Sequence, residues 1–185
     1  MKTIKFLPFF LALILSVASC SKDDDPAPEP VNEEELITTL QVTLMNNDLS
    51  SIVNLTMTDL DGDGPNAPVV TVEGNLISGT SYDGVVKILN ETEFPAEDIT
   101  LEVEEEDLEH QIFFTVGGGL DVTTSYSNFD SAGNNLGTEF KLDAGSVSNG
   151  TLTVTLIHEP TKPNTGLASA GGETDVEATF SITIE

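Results

Sequence analysis

Downstream of residue 33 the apolar residues of this chain recur at every second position, segment after segment. A period of two is what a strand with one buried face requires. Leu36, Thr38, Leu40, Val42 and Leu44 share one side, against Ile37, Thr39, Gln41 and Thr43 on the other. The same alternation picks out Val53, Leu55 and Met57; Tyr82, Val86 and Ile88; Ile112, Phe114 and Val116; and Leu136, Phe140 and Leu142. It continues through Leu152, Val154 and Leu156, and through Val176, Ala178, Phe180, Ile182 and Ile184, while Val122 to Phe129 reads as a less regular strand. Gly117-Gly118-Gly119, Asp130 to Gly137 and Ser148-Asn149-Gly150 supply turns, the last with an Asn-Gly pair suited to a tight hairpin. The expectation is one all-β domain over residues 33–185 with about eight or nine antiparallel strands. Two architectures remain open: a sandwich of two packed sheets, or a closed up-and-down meander barrel whose interior could hold a small ligand.

One segment departs from the pattern. Eight of the thirteen residues from Glu97 to Glu109 are acidic, Pro95 stands where helices begin, and Ile99 and Val103 are four apart. This favours a short acidic helix within Pro95 to Leu108, although Ile99, Leu101 and Val103 also alternate as a strand would. Leu76-Ile77-Ser78-Gly79-Thr80-Ser81-Tyr82 resembles the entry to a late strand of fibronectin type III modules. That likeness implies an immunoglobulin-like β-sandwich with a tyrosine bonded back to the backbone at its corner.

The start of the chain carries a different message. Lys2 and Lys5 precede an apolar run, Phe6 to Val17, that is too short to span a bilayer and ends in Ala18-Ser19-Cys20. This resembles a bacterial lipoprotein signal, which implies removal of residues 1–19 and acylation of Cys20, the chain's single cysteine. Residues 20–32 then form an acidic, proline-rich tether, too poor in apolar residues to fold. Within it Ser21-Lys22-Asp23-Asp24-Asp25 resembles the surface-export signal of Bacteroidetes lipoproteins, or serves as a plain acidic spacer. Loss of two lysines from a chain of net charge −26 leaves −28, with four lysines and no arginine. Such a body repels nucleic acid and anionic lipid surfaces, so any membrane residence must come from the lipid. With no second cysteine, the domain has to be held by its core.

Two groups of side chains could hold a cation. Asp59, Asp61 and Asp63 followed by Gly64 reproduce the first half of an EF-hand calcium loop. The second half is missing, since Pro65 follows and the twelfth position is Val70, and the other reading is a plain acidic turn. His110 and His158 share parity with core-facing residues of their strands. A four-strand meander from 110 to 158 would bring both to one rim, with Glu109 and Glu159 flanking them and Glu173 to Asp175 nearby. Imidazole with carboxylate suits zinc or copper. The sequence offers no His-Glu-x-x-His, no Gly-x-Ser-x-Gly and no phosphate loop, and abundant acids make carboxylate pairs uninformative, so a binding role is expected rather than an enzyme.

The lipoprotein signal, Asn32 to Thr39, Asp59 to Pro68 and Ala170 to Val176 together resemble a group of acidic flavobacterial outer-membrane lipoproteins. Members of that group tend to be encoded beside TonB-dependent receptors. The resemblance implies a cell-surface accessory that binds a ligand or divalent metal for an uptake receptor. A structural or adhesive surface module, stabilised by calcium at the aspartate loop, is the alternative.

Overall fold

A computed structural model describes residues 36–62 and 64–185. The expected signal, the tether, Cys20 and Asp63 lie outside the described residues. In chain order the elements are β1 (Thr39–Asn46), β2 (Ile52–Thr58), β3 (Val69–Glu73), β4 (Ser81–Asn90), β5 (Glu97–Asp98), α1 (Ile99–Glu105), β6 (His110–Gly117) and β7 (Val122–Tyr126). They are followed by β8 (Glu139–Ala144), β9 (Ser148–His158), α2 (Leu167–Ala170) and β10 (Glu173–Ile184). The strands form two antiparallel sheets. The larger has the order β3-β2-β1-β4-β8-β7, with β5 pairing on β4, and the smaller has the order β10-β9-β6. No barrel closes, and the protein is an all-β sandwich. With β2, β3 and β5 set aside, β1-β4-β8-β7 faces β6-β9-β10, which is the ABED and CFG strand order of an immunoglobulin constant-type sandwich.

Alternation puts the apolar side of each sheet inward. Leu40, Val42, Leu44, Leu55, Ile88, Ile112, Leu142, Leu152, Val154, Phe180 and Ile184 lose all contact with solvent in one continuous core. At the interface Phe114 stacks on Phe140 with ring centroids 4.0 Å apart. Phe140 also lies across Gly84, its direct partner on β4, where a Cβ would come within 2.4 Å of the ring. Tyr82 is buried, accepts the Ile77 N–H at 2.9 Å and bonds the Ser51 hydroxyl at 3.0 Å. The tyrosine pin expected from the sequence is present, but on β4, the second strand of the immunoglobulin order rather than a late one.

Two sequence expectations are corrected and a third is narrowed. Residues 110–158 are not a four-strand meander: β6 pairs directly with β9, and β7 and β8 belong to the other sheet. Asn149-Gly150 is not a hairpin turn but part of β9. A Cβ on Gly150 would sit 2.4 Å from the Gly117 carbonyl, so this glycine permits close approach of a neighbouring loop. The acidic helix spans Ile99–Glu105 alone, with Ile99 and Val103 buried and Leu101 exposed, the three-to-four spacing prevailing over the alternating one. Two strands escaped the alternation test. β5 has only two residues, and β3 is an edge strand exposed on nearly its whole length.

Candidate functional site

Two chemically distinct places were legible as candidates, and the structure adds a third. At the first, antiparallel pairing of β6 with β9 puts His110 directly opposite His158, and β10 in turn puts Glu173 opposite His158. The imidazoles stack with centroids 4.9 Å apart and planes 12° from parallel. His110 is buried, its Nδ1 3.2 Å from the Glu106 carbonyl oxygen. The histidines meet as expected, though by direct pairing instead of a meander. Glu109 and Glu159 lie one position beyond them, joined by the Glu159 N–H donating to the Glu109 carbonyl at 2.6 Å, and both are exposed. Among the described residues no group of three or more His, Cys, Asp or Glu is placed to hold a metal ion.

At the second place, Asp59 ends the chain segment leaving β2, and its N–H donates to the Thr38 carbonyl at 2.7 Å. Its Oδ1 is buried with no hydrogen-bond partner among the described residues. Asp61 turns its carboxylate to Asn66, accepting from the side-chain amide at 2.7 Å and from the backbone N–H at 3.3 Å. The loop borders a hollow of about 420 Å³ whose lining includes Leu60, Ala67 and Val69.

The third place was not anticipated. After β9 the chain folds back over the outer face of the small sheet. There α2 brings Ala170 and Leu167 onto Phe113 and Ile157, so the strand ends beside the histidines are buried on both faces. Lys162 holds this return. Its ammonium donates to the carbonyls of Asp107 and His110, each at 2.6 Å, and to Asp130 Oδ2 at 3.1 Å. The pair is sealed, with side-chain exposures of 6% for Lys162 and 0% for Asp130. Asp130 also accepts from the N–H groups of Ala132 and Asn134 and from the Asn134 carboxamide. Burial pushes the Asp130 pKa up, but the Asn134 bonds and the Lys162 charge outweigh it and hold the carboxyl below its ordinary 3.8.

Two loops, 128–137 and 159–166, are thereby clamped together, and between them lies a pocket of about 200 Å³ lined by Gln111, Gly133, Asn134, Asn135, Pro163 and Asn164. Gln111 is buried, and its Oε1 accepts from Asn164 at 2.7 Å. The Tyr126 hydroxyl donates to the carbonyl of the next residue, Ile112, at 2.9 Å. Burial raises the Tyr126 pKa, so the phenol stays neutral. The Asn135 carboxamide has no hydrogen-bond partner among the described residues. Every lysine among the described residues is paired: Lys87 with Asp98, Lys141 with Asp83 and Lys162 with Asp130. The folded body therefore offers no unpaired cationic side chain to an anionic ligand. The sequence did carry a signal for Lys162, a rare cation in a loop whose other charge is Glu159, but its partner lies 32 residues away.

No protein-family model, no curated protein and no solved structure matches this chain.

Proposed function

We propose that this protein is a capture module, lipid-anchored through Cys20 and displayed on the outer surface of an outer membrane as accessory to a TonB-dependent uptake receptor. Its ligand end is the amide-lined pocket. The observation that carries this reading is the buried Lys162–Asp130 pair, which clamps the two loops that wall the pocket. Burying an ion pair is costly, and the arrangement is hard to account for by stability alone. Rigid walls lower the ordering cost of binding. Purified full-length chain should give a thermal shift with a neutral polar ligand, and Lys162→Ala should abolish it under conditions where the variant remains folded. A ligand bound equally by both would overturn the assignment of the pocket.

A second reading, in which the cargo is zinc or copper, draws on the register that aligns His110, His158 and Glu173 across β6, β9 and β10, side chains that would have to turn toward one another to share an ion. Metal binding to the native state must raise the unfolding midpoint. The rise should vanish in His158→Ala and shrink in Glu173→Gln; an unchanged rise in both would exclude the row. The structural alternative, a calcium-stabilised surface module, draws on the unpartnered Asp59 Oδ1. It predicts a calcium-dependent midpoint lost in Asp59→Ala.

A further inference from the structure

We infer that the amide-lined pocket takes one unit of a neutral carbohydrate, with Phe129 as the surface on which the sugar ring lies. This inference rests on the capture reading above and narrows its ligand. The charge balance comes first. All lysines of the described residues are engaged by aspartates, there is no arginine, and the body is strongly acidic. A phosphate, sulfate or carboxylate ligand would meet repulsion with no counter-charge, which leaves neutral ligands or cations.

The lining decides between those two. Gln111, Asn134, Asn135 and Asn164 bring carboxamides, each able both to donate and to accept. Gln111 and Asn164 are fixed on each other, and Asn134 is fixed on Asp130, while the Asn135 carboxamide still has both functions to give. A hydroxyl is the ligand group that likewise donates and accepts, whereas a cation needs acceptors alone. No carboxylate is among the lining residues.

Phe129 supplies the rest of the recognition. It forms an isolated antiparallel bridge with Asn135. Residues directly opposite in such a bridge send their side chains to the same face about 5 Å apart. Phe129, 56% exposed and outside the residues that line the pocket, thereby sets its Cβ beside that of Asn135, which does line it. A ligand that satisfies both needs hydroxyls around its edge and an apolar face of C–H groups. A pyranose has that combination, and a pocket of about 200 Å³ suits a single unit rather than a chain. A peptide of glycine and asparagine would offer amides but no flat C–H face for the ring.

The test is calorimetric titration of the full-length chain with short neutral gluco-, manno-, galacto- and xylo-oligosaccharides. Controls are an oligogalacturonate as the acidic counterpart, and neutral glycine- and asparagine-containing peptides. At least one neutral sugar series should bind, the oligogalacturonate should not, and Asn135→Ala and Phe129→Ala should each weaken sugar binding by roughly tenfold. Both side chains are solvent-accessible, so their unfolding midpoints should match the wild type. Absence of sugar binding, or variants that bind sugar as the wild type does, would overturn the carbohydrate assignment. A peptide that binds in its place and is lost in Asn135→Ala would overturn the sugar while preserving the capture pocket. If no ligand in the panel responds to Asn135→Ala or to Lys162→Ala, both readings fall together.

Discussion

Lys162 is the residue on which most of the candidate site depends. Its ammonium has three acceptors, two of them backbone carbonyls on either side of the start of β6, so it joins the 159–166 loop to the sheet as well as to Asp130. Removing one partner of a buried pair strands the other, at a cost of about 3–5 kcal/mol. Lys162→Ala should therefore lower the urea unfolding free energy by that amount, and a loss below about 1 kcal/mol would mean the pair is solvated in solution. The pH dependence follows from Asp130. Its folded pKa is depressed, so its stabilisation is complete above the unfolded value, near 4, and is lost as pH falls through the lowered one. Asp130→Asn should be less stable than wild type at neutral pH. Its urea midpoint should also fall less steeply on acidification below about pH 4. Parallel acid profiles would show that Asp130 does not titrate differently on folding.

At the scale of elements, the sandwich is closed by complementary shapes. Gly84 on β4 exists to receive Phe140 of β8, and Gly84→Ala would drive a methyl into the ring. Overpacking of this kind costs about 1–3 kcal/mol, and thermal denaturation should show it. An unaltered midpoint would mean the ring can move aside. Helix α1 has no side-chain cap and a strongly acidic surface, so little within it favours a helix in isolation. Ile99 and Val103 seat it on the core, and Ile99→Ala should cost about 2–5 kcal/mol. That α1 begins at Ile99 and not at Pro95 reflects the same dependence. Residues 97–98 pair with β4 as β5, and the Thr100 hydroxyl accepts the Ile88 N–H at 2.8 Å, so contact with the sheet sets where the turn begins.

For the whole molecule the dominant long-range force is self-repulsion. With its described lysines already paired, the remaining acids repel one another, and added salt screens that repulsion. The unfolding midpoint should rise as sodium chloride is raised from low to physiological strength; a fall would show that the three surface and buried ion pairs outweigh the repulsion. The sequence by itself determined the fold class, because alternation of apolar residues states which face of each strand is buried, and faces buried in this way can be satisfied by packing two sheets together. It also placed His110 and His158 on core-facing positions, since side-chain parity is a local property of a strand. What it could not determine was which strands are neighbours. The β6–β9 pairing that makes the histidines touch, the demotion of Asn149-Gly150 from turn to strand, and the exposed edge β3 all follow from long-range contacts that leave no periodic trace. The joining of the amide pocket's two walls belongs to that second category. Asp130 and Lys162, and Gln111 and Asn164, are ordinary loop and strand residues in sequence, and only the return of the chain over the small sheet brings them together.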